Sequence, residues 1–351
     1  MTGLARTVAL ITGANSGVGF GIARRLLLNH TTGTRIDACG RTLPPNTGAK
    51  SGASDDLVVV LGCRNHARAT AARDALLAEF PSAKIDILDM DVSSGPSIRA
   101  AAAIARNRYG SISFLFCNAG IMPTVGLAWG AIARDMVLDT KDLWTNGTNA
   151  YVQPVGVKDS LGHGSIFVAN TAGHWLLINE LEPLLVSGHA RVIMTSSVTA
   201  KRAYFDLDDI QGLAGNRPYH SSKYAMDVLT LHLNAKYADR GVRFFTTCPG
   251  TVYTGIISIP LPSFVMLGFY HFMRLFWKQL TVNPDTGATA AIYLASRPDE
   301  ELDTRFKYFS RATRFGQSFV DRGPLVEAGL EQEAAAEAAA VDAVCNEVWQ
   351  V

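Results

Sequence analysis

Tyr219 and Lys223 stand four residues apart, directly after Pro218. If Pro218 opens a helix, the two side chains lie one above the other on the same face, and the ammonium can act on the phenol. A free phenol titrates near about 10, so at neutral pH it is a sluggish acid until a neighbouring cation stabilises its phenolate. Lys223 supplies that cation. The spacing alone is also that of an ordinary surface pair, so its meaning depends on the elements that bring other groups to it.

Those elements alternate. Thr7 to Thr12 is a short apolar run of the kind buried on both faces of a parallel sheet. It runs into Gly13-Ala14-Asn15-Ser16-Gly17-Val18-Gly19, and helical spacing resumes at Ile22 to Leu28. Strand, glycine turn and helix in that order let the backbone approach a pyrophosphate and aim the helix N-terminus at its charge. After a Gly-, Ser-, Thr- and Pro-rich loop from Thr31 to Asp56, the strand Leu57 to Cys63 ends at Arg64. An acid there would bond the adenosine ribose of NAD, whereas Arg64 suits the extra phosphate of NADP or is a plain surface arginine.

A helix over Ala67 to Phe80 leads to a strand from Lys84 to Met90 closing on Asp91-Val92, where Asp91 is placed to reach the adenine edge. A helix over Ser97 to Tyr109 precedes the strand Ile112 to Cys117, which stops at Asn118-Ala119-Gly120. Met122 to Ser165 has no clean period and reads as a long insertion near the cofactor cleft. Then come a helix from Ile166 to Leu185 carrying Asn170, a strand from His189 to Met194 running into Thr195-Ser196-Ser197, and the Tyr219 helix. The strand Arg243 to Thr247 ends at Cys248-Pro249-Gly250-Thr251-Val252-Tyr253-Thr254, and helices are expected over Ala288 to Ala295 and Glu331 to Val348.

This alternation implies an α/β fold, a single-domain doubly wound parallel sheet of Rossmann-like type with insertions. The domain is expected over residues 1–300, with substrate-covering insertions at about 121–165 and 255–285, and a C-terminal extension over 301–351 ending in the terminal helix. Ligands of such a sheet collect at the carboxyl ends of its strands. The Gly13 turn, Arg64, Asp91, Asn118, Ser197 and Pro249-Gly250 all follow strands, so they face one crevice. Reduction of a ketone by hydride needs a donor to its oxygen and an acid for the developing alkoxide. Ser197 can donate, Tyr219 can give the proton, Lys223 can hold the ribose hydroxyls, and Asn170 can hold a water that refills the proton.

With 351 residues and 48% hydrophobic content the chain can bury a large core. A net charge of +1 without any basic run argues against nucleic acid as a partner. The five cysteines form no Cys-x-x-Cys pair and read as reduced, buried packing residues, and no basic-then-apolar leader precedes the first strand. No metal site is expected. Ile256 to Leu280 is the most apolar stretch; Pro260, Pro262, His271, Arg274 and Lys278 make it a poor spanning helix. It fits either an amphipathic segment on a membrane surface or a helix pair covering the substrate.

Thr12-Gly13-x-x-x-Gly17-x-Gly19, Asn118-Ala119-Gly120, Ser196-Ser197, Tyr219-x-x-x-Lys223 and Pro249-Gly250 together resemble the short-chain dehydrogenase/reductase superfamily over roughly residues 7 to 297. The resemblance implies catalysis by Ser197, Tyr219, Lys223 and Asn170. It places NADPH or NADP against Gly13, Asn15, Ser16, Gly17, Val18, Gly19, Arg64, Asp91, Val92, Asn118, Ala119, Gly120, Tyr219, Lys223, Pro249, Gly250, Val252 and Thr254. Ser197 lies farther upstream of Tyr219 than is usual there, which leaves Ser196 or a later residue as the alternative donor.

Asn118 to Pro123, Glu180 to Leu185, Asp208 to Gly212 and Tyr219 to Ala225 resemble more narrowly the 3-keto-sterol reductases of sterol C4-demethylation. That likeness implies reduction of a sterol 3-ketone with NADPH at the cytosolic face of the endoplasmic reticulum membrane, beside other sterol enzymes. A homodimer is a further implication. The alternatives are a soluble cytoplasmic enzyme, another bulky apolar ketone (a 17-ketosteroid, retinoid, terpenoid or polyketide), or a catalytically silent NADP-binding scaffold.

Overall fold

In the computed structural model, residues 6–33, 35–37, 39, 41–43, 56–145, 149–252, 268, 272, 275–277, 280, 281 and 283–350 are described. Eight strands make one sheet: β1 (Thr7–Thr12), β2 (Leu57–Cys63), β3 (Lys84–Asp89), β4 (Phe114–Cys117), β5 (Arg191–Thr195), β6 (Arg243–Cys248), β7 (Phe306–Ala312) and β8 (Ser318–Pro324). Their order across the sheet is β8-β7-β6-β5-β4-β1-β2-β3. All neighbouring pairs are parallel except β7 with β8. The chain winds outward from β1 to β3, then returns to β4 on the other side of β1. That reversal opens a crevice at the carboxyl ends of β1 and β4.

Seven helices flank the sheet: α1 (Gly17–Thr32), α2 (His66–Glu79), α3 (Gly95–Arg108), α4 (Gly173–Ser187), α5 (Pro218–Lys236), α6 (Thr289–Ser296) and α7 (Glu331–Trp349). The period-2 alternation of the strands divides the core between them. Val8, Leu10, Val58 and Val60 face α3, α4, α5 and α7 through Ile98, Leu181, Val228 and Val341. Ala9, Ile11, Val59 and Leu61 face α1, α2 and α6 through Ile22, Leu76 and Ile292. The central strands read as continuous apolar runs because both of their faces are covered.

Three features differ from the sequence expectation. The segment expected as a C-terminal extension carries two strands besides its terminal helix: β7 pairs with β6, β8 pairs with β7, and α7 packs against α5. Lys307 and Arg311 inside β7 hide its apolar pattern in the sequence. The 121–165 insertion carries structure, with helices at Trp129–Leu138 and Thr140–Thr145 and an antiparallel pair of Gly126–Leu127 with Tyr151–Val152. Cys39 is exposed, while Cys63, Cys117, Cys248 and Cys345 are buried as free thiols. Thr254, most of Ile256 to Leu280 and most of the Thr31 to Asp56 loop lie outside the described residues. Among the described residues no helix is long and apolar enough to cross a membrane.

The Asn170 helix is not regular. An α-turn at Ser165–Phe167 passes into a π-helical turn at Val168–Ala172 before α4 begins. Such turns leave carbonyls out of the usual ladder. At the end of this turn the Ala172 carbonyl accepts from the indole nitrogen of Trp349 at 2.7 Å. Directly after it, Gly173 admits the Val92 carbonyl so closely that a Cβ would lie 1.7 Å from its oxygen. Gly173→Ala is therefore expected to cost about 3 kcal/mol or more, since overpacking against backbone cannot relax by a rotamer change. Urea denaturation checks it; an unchanged midpoint would contradict the packing.

Candidate active site

The nucleotide end of the crevice is built by backbone. Gly13 and Gly17 hold φ of 67° and 55°, left-handed values that favour glycine. A Cβ on Gly19 would lie 2.4 Å from the Gly13 carbonyl oxygen and 2.6 Å from Asn118 Nδ2, so the turn closes on itself and on the end of β4. Thr12 Oγ1 accepts the N–H groups of Asn118 and Ala119 at 2.8 and 2.9 Å, and Asn118 Nδ2 donates to the Thr12 carbonyl at 3.0 Å. The ends of β1 and β4 are thereby laced together.

Ser16, at the N-cap of α1, makes no side-chain cap bond, and the first turn holds no acidic residue. Its N–H groups are left for an anion. Arg64 extends from the end of β2 with its side chain 73% exposed, 3.9 Å from the Asp91 carboxylate. Asp91 Oδ1 accepts from the Ser93 backbone and hydroxyl at 2.9 and 2.6 Å. Beyond β6, Gly250 takes φ of 73°. Val252 and Val18 converge on Gly287, whose Cβ would lie 2.6 and 3.4 Å from their methyls. This donor set, with helix N–H groups, glycine turns and an exposed guanidinium, fits a phosphorylated dinucleotide.

The other end is built by side chains. Lys223 is buried, donates to the Thr195 carbonyl at 2.7 Å and lies 5.9 Å from the centroid of the Tyr219 ring. The Ser197 hydroxyl lies near enough to act on the Tyr219 phenol. Ser197 Oγ also shares a 2.8 Å bond with Thr199 Oγ1. Ser196 is turned the other way, toward Asp227. Asn170 Oδ1 accepts from Ile121 N at 2.8 Å, while its Nδ2 donates to the Ile121 carbonyl and to Ser222 Oγ, both at 3.0 Å. Its amide thus joins the turn after Gly120 to Ser222 of α5.

The short chain dehydrogenase profile matches residues 46–258 of this sequence. The chain belongs to that family. The matched interval begins after the Gly13 turn, and the fold itself joins that turn to the rest. Similar proteins include the 3-keto-steroid reductase/17-beta-hydroxysteroid dehydrogenase 7 of Rattus norvegicus, 36% identical over 325 residues that span 90% of this chain and 89% of the rat protein. The 3-keto-steroid reductase erg27 of Schizosaccharomyces pombe is 33% identical over 333 residues, 91% of each chain. Among solved structures, an alcohol dehydrogenase from Thermococcus sibiricus complexed with 5-hydroxy-NADP aligns with a TM-score of 0.55 at 18% identity, covering 88% of this chain and 97% of that one. As a short-chain dehydrogenase the protein is an oxidoreductase that uses a nicotinamide cofactor on a ketone or its alcohol.

Electrostatics at the reacting end follow from burial. Desolvation pushes the Tyr219 phenol up to about 12, with the Ser197 hydroxyl pulling the other way. By surface area Tyr219 as a whole is only half-buried. Desolvation also brings Lys223 down to about 8, against the pull of Asp227 and Cys248 and with a further push from Lys307. Tyr219 is therefore fully protonated at neutral pH, and Lys223 is cationic in its larger part.

Several supporting residues were not legible in the sequence. Gln153, from the insertion, accepts the Tyr219 N–H at 2.9 Å and donates toward His220 Nδ1 at 2.9 Å, replacing the missing side-chain cap of α5. Burial holds His220 down at about 4, so it is neutral and can accept. Thr199, Asp227 and Lys307 also reach the site. Only Asp227 carries a sequence signal, four residues beyond Lys223; the others sit far away in the chain.

Proposed function

We propose that this short-chain dehydrogenase is an NADPH-dependent ketoreductase that reduces the 3-ketone of a sterol-like substrate to a 3-hydroxyl. The observation that carries the chemistry is the Ser197–Tyr219 hydroxyl pair, on the carboxyl edge of the sheet beside buried Lys223. The substrate class rests on relatives named 3-keto-steroid reductases, which match about 90% of the chain. The exposed Arg64 guanidinium, loosely paired with Asp91, is the group that prefers a ribose phosphate to a bare ribose.

When bound, the nicotinamide supplies the hydride. Ser197 Oγ and Tyr219 Oη donate to the ketone oxygen and stabilise the charge that develops there. Tyr219 then gives its proton; an alkoxide is more basic than a phenolate, so even a phenol raised to about 12 is a competent acid. Lys223 holds the ribose hydroxyls and stabilises the phenolate left behind. Asn170 keeps the Ile121 backbone in place. A lipid-dissolved substrate fits peripheral attachment to the endoplasmic reticulum membrane through Ile256 to Leu280, and the 121–165 insertion supplies part of the pocket wall.

The purified protein should consume NADPH with a 3-keto-sterol in preference to a 17-ketosteroid, retinal or a simple aryl ketone. Tyr219→Phe should lower kcat by at least about 10²-fold with NADPH binding retained. Retained turnover would sink the mechanism, and turnover of only the other ketones would sink the sterol assignment.

Cofactor choice is tested separately. Arg64→Asp should weaken NADPH at least about tenfold more than NADH, the worth of one charge-assisted phosphate contact. Equal losses for both cofactors would remove Arg64 from that role.

The pH profile follows from Lys223, whose folded pKa is depressed. The required cation is present below about 8 and is lost as pH rises through that value, so reduction should be fastest on the acid side and decline above it. A profile flat to pH 10 would show that the cation is not needed.

A further inference from the structure

Behind the catalytic strand end lies a buried ion pair that none of the roles above uses. Lys307 of β7 and Asp227 of α5 pair with side chains only 6% and 2% exposed. Lys307 Nζ also donates to the Ser197 carbonyl at 3.2 Å. The Ser196 hydroxyl faces the same carboxylate without forming a well-aligned bond, and it and Asp227 Oδ1 have no other partner. Two residues earlier on the same strand end, Lys223 holds the Thr195 carbonyl at 2.7 Å. Two ammonium groups thus grip alternate carbonyls, those of Thr195 and Ser197, and Asp227 bears on both, paired with Lys307 and one helical turn from Lys223.

Stability does not account for such a pair. Withdrawing two charges from water is costly, and replacing a buried pair by apolar residues of similar volume is often neutral or stabilising by about 1–4 kcal/mol. What the pair does uniquely is tie three elements to one peptide. The Ser197 backbone is set by Lys307 from β7, Asp227 sets Lys307 from α5, and Ser197 Oγ then meets Tyr219 on that same helix.

We propose that Asp227 and Lys307 are positioning residues for Ser197, fixing the peptide that aims its hydroxyl at Tyr219. The inference rests on the catalytic reading of Ser197, Tyr219 and Lys223 given above. Neither residue touches the reacting atoms. Their effect is on the orientation of the donor, where a displacement of about 1 Å from a remote change can lower turnover by about 10²-fold.

The test compares an apolar pair, Asp227→Leu with Lys307→Met, and an amide pair, Asp227→Asn with Lys307→Gln, in NADPH-linked reduction of the preferred ketone. The apolar pair should melt no lower than the parent and bind NADPH equally by fluorescence, yet lose about tenfold or more in kcat with KM little changed. The amide pair, whose glutamine can still donate to the Ser197 carbonyl, should recover most of that loss. In a Ser197→Ala background neither pair should cause a further loss, because the donor being positioned is gone. An apolar pair with undiminished kcat would overturn the proposal, as would equal losses with and without Ser197. If the apolar pair fails to fold, Asp227→Asn with Lys307→Met, which also removes the donor to the Ser197 carbonyl, is carried through the same Ser197→Ala cycle and decides by the same criterion. Tyr219→Phe runs alongside: if it still turns over, the catalytic reading fails, whereas if it is inactive and the pairs are silent, only the positioning role fails.

Discussion

The ammonium of Lys223 is kept from water by a bond to the Thr195 carbonyl and by the Asp227 carboxylate one turn along α5. An isolated buried cation would lose its proton, so the fold must supply both partners at once. That requirement sets the distance between α5 and the end of β5. It also brings Tyr219 beside Ser197, since the tyrosine precedes the lysine by one turn and the serine follows the gripped carbonyl by two residues. The opposing pulls of burial and Asp227 leave the lysine near neutral pH, where a modest change in its surroundings alters its charge.

Holding that helix in place is a task shared by parts of the chain far apart in sequence. At its N-terminus Gln153 accepts the first-turn N–H that no capping side chain serves. Along its flank Tyr224 donates to Glu337 of α7 at 2.7 Å, and Glu337 also accepts from Arg202. The same terminal helix steadies the Asn170 turn, because Trp349 donates to the Ala172 carbonyl and Trp175 Nε1 donates to Asp342 Oδ1 at 2.6 Å. The last fifty residues are therefore structural support for the reacting groups. They carry no reacting group of their own.

A second lacing, centred on Thr12, does for the nucleotide end what Lys223 does for the other. Its hydroxyl accepts two backbone N–H groups from the turn after β4 and lies 3.0 Å from His174 Nε2. Desolvation brings His174 down to about 4, so the ring is neutral and can accept the threonine proton. With Nδ1 turned to the Asn170 carbonyl at 3.3 Å, it joins the glycine turn of β1 to the π-turn under the reacting groups. The two ends of the crevice are thus mechanically continuous.

The sequence by itself determined the alternating order of strands and helices, because strands covered on both faces must be apolar throughout and their helices must follow a 3.6 period. It also determined the glycine turn, the Tyr219–Lys223 pair and the family likeness, since each is a local pattern whose spacing carries its physics. β7 escaped because Lys307 interrupts its apolar run and is satisfied only by partners distant in the chain. The sides on which Ser196 and Ser197 lie depend on tertiary structure alone: adjacent residues at a strand end point to opposite sides, and only the placing of α5 and β7 puts Tyr219 on the side of Ser197 and Asp227 on the side of Ser196. Likewise Gln153, Lys307 and Trp349 acquire their roles from contacts between segments separated by tens to hundreds of residues. No local spacing encodes such a contact, for it exists only once the sheet has closed its layers around the site.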